Sequence, residues 1–118
     1  MYKKNSTATT FTGLISSPVY VDSQTTCGII VPNDVAFNSI TLSVQVSTDG
    51  INFYNLYDDT GAQKTISIGA ARAISLYLGN YAGFAYIQFT ANANLNGKAI
   101  MVLFREMYCN GYLLLTKN

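Results

Sequence analysis

Residues 42–76, LSVQVSTDGINFYNLYDDTGAQKTISIGAARAISL, constrain the fold more than any other part of the chain. Leu42, Val44 and Val46 alternate with Ser43, Gln45 and Ser47. A period of two predicts a half-buried strand, because successive strand side chains point to opposite sides of a sheet. Thr48-Asp49-Gly50 supplies a reversal: Gly accepts positive φ at little cost, and Asp bonds its own downstream backbone. Apolar character returns at Ile51, Phe53, Tyr54 and Leu56. A second break at Asp58-Asp59-Thr60-Gly61 precedes another alternating run, Thr65-Ile66-Ser67-Ile68. The segment predicts a meander of short antiparallel strands joined by tight turns.

The rest of the chain extends the pattern. Residues 1–8 are polar and without periodicity, which predicts an N-terminal arm ordered by a partner, with residues 9–118 forming the domain. Thr10-Phe11-Thr12-Gly13-Leu14-Ile15 reads as a strand broken by Ser16-Ser17-Pro18, and Val19-Tyr20-Val21-Asp22 as an extended resumption. Further strands are predicted over residues 26–31, 39–47, 66–68, 72–78, 84–90 and 112–116. Residues 98–107, almost wholly apolar in the middle, predict a central strand buried on both faces. The alanine-rich 68–74 and asparagine-rich 92–97 read as connections. About nine or ten short strands predict an all-β, single-domain antiparallel β-sandwich of jelly-roll type. A chain of 118 residues is long enough to bury a core without metal or disulfide staples.

Hydrophobic residues make up 49% of the chain and charged residues only 11%, against about 25% charged in an average domain. The polar surface must therefore be built from Ser, Thr, Asn and Gln. Such a surface suits a protein partly covered by neighbours, because charge is depleted at interface cores. The net charge of +1 has its signs scattered, and Lys3-Lys4 is the one adjacent basic pair. No nucleic-acid partner is expected. The polar N-terminus shows no signal-peptide core, and no apolar run approaches the ~20 residues of a membrane span. The reading is of a protein made in a cytosol and assembled there.

Chemistry is sparsely provided. Histidine is absent and Glu106 is the single glutamate, which removes the commonest general base and metal ligand. Of Asp22, Asp34, Asp49, Asp58, Asp59 and Glu106, all but Glu106 lie in or beside predicted turns. No nucleophile elbow is present, and neither Cys27 nor Cys109 has a His to activate it, so no enzyme, catalytic residue or cofactor is expected. Asp49, Asp58 and Asp59 with Asn52 and Asn55 carry oxygen donors of the kind calcium takes. They lack the D-x-D-x-D spacing, and no metal site is expected. Cys27 and Cys109 read as small, partly buried thiols; a disulfide requires the first and last strands to be neighbours. Tyr54, Tyr57, Tyr77, Tyr81 and Tyr86 are candidates for a sugar-stacking platform or for ordinary sheet packing.

Three ordered pieces carry a resemblance. They are Ser47-Thr48-Asp49-Gly50-Ile51-Asn52-Phe53-Tyr54-Asn55-Leu56-Tyr57-Asp58, then Ala70-Ala71-Arg72-Ala73-Ile74-Ser75-Leu76 with Phe84-Ala85-Tyr86-Ile87-Gln88-Phe89, and finally Ile100-Met101-Val102-Leu103-Phe104-Arg105. In this order they resemble a group of small bacteriophage virion proteins with a jelly-roll or discoidin-like β-sandwich. The resemblance implies a non-enzymatic virion component, assembled in the bacterial host cytoplasm. A capsid decoration or cement protein seated between capsid subunits is the leading form. Its implied partners are the major capsid protein or other virion proteins and, by analogy, two further copies in a trimer. Tyr2, Lys3, Lys4, Tyr54 and Tyr57 are the candidate partner-binding residues. The alternative is a carbohydrate- or receptor-binding module of a phage fibre or tail, using the turns around Asp49 and Tyr54.

Overall fold

A computed structural model describes residues 4–21, 24–76 and 84–106. Among these residues the chain is all-β, with ten antiparallel strands and one short 3₁₀ turn, Val35–Phe37. Among the described residues no helix is long and apolar enough to cross a membrane. The strands are β1 (Lys4–Thr12), β2 (Ile15–Ser16), β3 (Val19–Tyr20), β4 (Gln24–Val31), β5 (Ile40–Ser47), β6 (Tyr54–Asn55), β7 (Thr65–Ile68), β8 (Arg72–Ser75), β9 (Tyr86–Ala91) and β10 (Ala99–Glu106).

They form one curled path, β6-β5-β9-β2-β1-β10-β4-β8, with β3 also on β9 and β7 also on β5. The curl has a single crossing point. Residues Lys4 to Thr10 of β1 pair with β10, whereas Phe11 and Thr12 pair with β2. One strand therefore leaves the β10-β4-β8 layer and enters the β2-β9-β5 layer, and the two inner faces close on a common core. Ile29, Val31, Ile100 and Val102 come from the first layer; Leu42, Val44, Val46, Ile66, Ile68, Ile87 and Phe89 come from the second. Phe11 at the crossing and Phe37 of the 3₁₀ turn are fully buried among them. This is the β-sandwich-like, single-domain all-β fold expected.

The alternation read at residues 42–47 is the burial pattern of β5: even positions enter the core, and Thr41, Ser43 and Gln45 face outward. β9 obeys the same rule, pairing Val46 with Ile87 and Val44 with Phe89 on the core side. The Ser16-Ser17-Pro18 break separates β2 from β3, where a proline cannot donate to the ladder. The buried Ser16 hydroxyl accepts the Phe89 N–H at 2.8 Å, and the Thr9 hydroxyl donates to the Ser17 carbonyl at 2.7 Å, so polar groups beside the break are satisfied. The Asn-rich 92–97 segment is the expected connection, with Gly97 at φ 79.

Three expectations are corrected. The arm of residues 1–8 does not hold over its described part, because Lys4 to Ala8 form the first five rows of the β1–β10 ladder. Ser6, Thr7 and Ala8 are all exposed, so this end of the strand is held by backbone pairing with no buried face to give it periodicity. Residues 1–3 lie outside the described residues. Gly13 is not interior to a strand: with φ 67 it opens a two-residue turn joining Thr12 to Ile15, matching the Gly-first hairpin turn. Finally, β10 is buried on one face only. Ile100 and Val102 are in the core, while Met101 and Leu103 on the other face stay half-buried.

Cys27 lies on β4, beside β10, and carries a free, half-buried thiol. Cys109 and the predicted closing strand 112–116 lie outside the described residues.

Expression from Thr9 onward tests the correction at β1. Losing five ladder rows leaves one side of β10 without partners there. At about 0.5–1.5 kcal/mol net per hydrogen bond, the truncation is expected to cost at least ~2 kcal/mol and to lower the melting temperature by roughly 8 °C or more. A melting temperature equal to full length would return these residues to the status of an arm.

Candidate functional site

The two acidic turns after β5 hold their carboxylates inward on the backbone. Asp49 Oδ1 accepts the Ile51 and Asn52 N–H groups, each at 2.9 Å, and the Ser47 hydroxyl at 2.9 Å; Oδ2 accepts the Asn52 side-chain amide at 2.9 Å. Ser47 in turn accepts the Asp49 and Gly50 N–H groups. Asp58 Oδ1 accepts from the Thr60 N–H, the Thr60 hydroxyl and the Ala62 N–H. These are side-chain turns, in which the carboxylate replaces a backbone acceptor. The Asn52 N–H and then that of Ile51 hold Asp49 far below the usual carboxylate range. The Thr60 hydroxyl, then the Ala62 N–H, lower Asp58 likewise.

The candidate calcium donors are therefore separated into two self-contained turns. Asn55 is on β6, bonded to Gln45, and Asp59 is exposed. Among the described residues no group of three or more acidic or Cys side chains comes together to hold a metal ion.

The candidate tyrosines divide between faces. β6 pairs Tyr54 with Val46, placing Tyr54 in the core-side row that runs Val19–Ile87–Val46. At the open edge of that row it is 68% exposed, and Tyr57, bridged to Gln63, is 53% exposed. Tyr86 lies in the next row, on the outer face, where its ring meets Tyr20 of β3 at 5.1 Å between centroids and an interplanar angle of 58°. Sequence reading missed Tyr20. Its signal was the buried-exposed-buried order of Val19, Tyr20 and Val21. Tyr77 and Tyr81, with Tyr2 and Lys3, lie outside the described residues. Lys4 begins β1, opposite Arg105 in register.

Two outer faces remain to meet a ligand or neighbour. On the β10-β4-β8 side the rows are Ala8–Met101–Ile30–Ala73 and Ser6–Leu103–Gly28–Ser75. None of these eight residues is charged; the row beyond them pairs Lys4 with Arg105. Ile30, at 44% exposure, stands at the centre of the first row, flanked by the half-buried Met101 and the exposed Ala73. On the β9-β5 side the rows are Tyr20–Tyr86–Ser47, Gln88–Gln45–Asn55 and Ile15–Thr90–Ser43–Thr65. Here too no side chain is charged. An amide chain runs across three strands: Gln88 Nε2 donates to Gln45 Oε1 at 2.7 Å, and Gln45 Nε2 donates to Asn55 Oδ1 at 3.0 Å. The ion pair between Lys98 and Asp34, 2.7 Å, lies elsewhere, tying the β9–β10 connection to the cap of the 3₁₀ turn. Lys98, then the Ala36 N–H, lower the Asp34 carboxyl from its ordinary value.

Comparison of the chain with protein-family models, with curated proteins and with solved structures found no match.

Two outcomes are expected at the Asp49-Gly50 turn. Gly50 has φ 77, and a Cβ on it would stand 3.0 Å from the Tyr86 ring. Gly50→Val should therefore destabilise by more than about 1 kcal/mol, read from denaturant unfolding; an unchanged midpoint would mean the loop does not hold Tyr86. Because the Asp49 and Asp58 carboxyls are lowered on folding, the unfolded chain binds protons first as pH falls below about 4. The stability they contribute is full above that pH and is lost below it. The gap in melting temperature between wild type and Asp49→Ala should narrow from pH 6 to pH 2, and a constant gap would overturn the assignment.

Proposed function

We propose that this protein is a non-enzymatic structural component of a bacteriophage virion, a decoration or cement protein that seats between capsid subunits. The observation that carries the reading is the outer face of β1, β10, β4 and β8. Strand β10 has enough apolar residues for two buried faces, yet the fold itself covers only one. Met101, Leu103 and Ile30 remain on outward rows without charge, which a neighbouring subunit can cover at little desolvation cost, with Lys4 and Arg105 one row beyond. Uncharged, Ser- and Ala-lined edges around these residues let a partner approach closely. The ordered motif resemblance points to the same class of protein and supplies the partner, the major capsid protein. A trimer follows from that resemblance by analogy. Exposed Tyr54 and Tyr57 at the β6 edge are placed to meet a second neighbour, since aromatic side chains contribute much of the energy where they are desolvated.

The test is occupancy on undecorated particles. Ile30→Glu puts a charge at the centre of the face while touching no core contact. It is expected to melt near wild type and to lose at least about tenfold in particle affinity, about 1.4 kcal/mol. Full occupancy by a folded Ile30→Glu variant would remove this face as the attachment surface, and failure of the wild type to bind any particle would remove the virion reading.

A further inference from the structure

We infer that the opposite outer face, formed by β3, β9, β5 and β6, is a binding face for a neutral oligosaccharide, with Tyr20, Tyr86, Gln45 and Asn55 as its contacts and the buried Gln88 ordering Gln45 beneath them. It lies on a different layer from the proposed particle-docking face and does not depend on it.

The argument begins with what the face presents. Its described side chains are tyrosines, amides and hydroxyls: Tyr20 and Tyr86, then Gln88, Gln45 and Asn55, then Thr90, Ser43 and Thr65. Ile15, opposite Thr90, is the large aliphatic among these positions. A nucleic acid requires cations to meet its phosphates, and this face has none. A protein interface centres on an apolar core, and one rim isoleucine does not make one. A sugar needs what is here: a ring to lie against its C–H surface, and groups that both donate to and accept from hydroxyls. Uncharged groups alone select a neutral sugar, since an acidic one would bury its carboxylate or sulfate without a cation partner.

The aromatic part is held in place. Gly50 comes so close to Tyr86 that a Cβ would lie 3.0 Å from two ring atoms. Tyr86 is thus held between the Asp49-Gly50 turn and Tyr20, and the tilted contact positions Tyr20, which is 58% exposed. The polar part is equally ordered. Because each amide in the Gln88–Gln45–Asn55 chain donates to the next, the buried Gln88 anchors one end and the exposed Asn55 NH₂ is left at the other as a donor. Gln45 also keeps a second N–H. A pre-ordered line of alternating donors and acceptors one strand-row from a tyrosine pair lowers the ordering cost of binding a hydroxylated ring.

The test uses the full-length protein on an array carrying neutral, sialylated and sulfated oligosaccharides, followed by titration calorimetry with the best-retained neutral one. Tyr20→Ala and Asn55→Ala alter exposed side chains and should melt near wild type. Each is expected to weaken binding at least tenfold, while Ile30→Glu, on the other layer, and added EDTA leave it unchanged. Retention of charged glycans only, or of none, overturns the inference. So does an unchanged affinity in either Tyr20→Ala or Asn55→Ala. Loss of glycan binding by variants that still occupy particles separates this face from the docking reading.

Discussion

The architecture depends on β1 changing partners at Phe11. A sheet of this many strands carries two faces, and a chain of this length cannot leave both faces of every strand to water. The curl solves the problem by letting one strand belong to both layers: its first seven paired residues run along β10 and its last two along β2. Phe11 sits at the change of partner with its ring wholly inside. Its burial fixes where the two layers meet, and hence which residue of each strand faces inward. The hydroxyl contacts of Thr9 and Ser16 secure the same corner from the polar side.

Once the inner faces are committed to the core, only the outer faces and the edges are left for recognition. The register of β5 and β9 assigns Ser43, Gln45, Tyr86, Gln88 and Thr90 to one outer side, with Gln88 itself buried there. On β10 the outward positions hold Met101 and Leu103, so that face is apolar. The low charge of the chain is therefore not spread evenly over an ordinary surface. The β9-β5 face is free of charge among its described rows and the β10-β4 face is free of it in its central rows, with Lys4 opposite Arg105 in the row beyond; two carboxylates are given to turn geometry, Asp49 and Asp58 each satisfying three or more donors of their own loops. A carboxylate so engaged is a structural acceptor, which is why a reading of the turns as ligand donors fails.

The strands with one buried face were legible from sequence, because their alternation is the imprint of burial. Residues 65–68 show this plainly, with Ile66 and Ile68 buried and Thr65 and Ser67 exposed, and residues 40–46 of β5 repeat it at greater length. β1 was illegible before residue 9 for the converse reason: its N-terminal half is held by backbone hydrogen bonds, which leave no mark on side-chain chemistry. β6, two exposed residues long, is held at the edge of β5 by backbone pairing and the Gln45–Asn55 side-chain bond. The turn at Asp49-Gly50 was legible from residue types, since Gly50 does take positive φ. The Gly13 turn was missed because flanking Thr and Leu residues read as continuous strand. The composition of each outer face could not be read, because it depends on register between strands far apart in sequence. Tyr20 and Tyr86, or Gln45 and Gln88, become neighbours only when β3, β9 and β5 are aligned.

Register also explains why the two outer faces differ so much in chemistry. In the β9-β5 layer the core takes every branched aliphatic of the paired rows except Ile15, leaving mainly hydroxyls, amides and tyrosines outside; in the β10-β4 layer the sequence supplies apolar residues at both parities. A purely structural sandwich gains nothing from the second arrangement, since Met101, Leu103 and Ile30 on an uncovered face weaken solubility without adding to the core. Nor does it need an amide chain across three strands, as each side chain would be as well satisfied by water. Two different costs on two opposite faces are most simply understood as two different contacts. On the proposed readings one face would exclude water against an apolar neighbour and the other would exchange water for hydroxyls, each on its own layer of the fold.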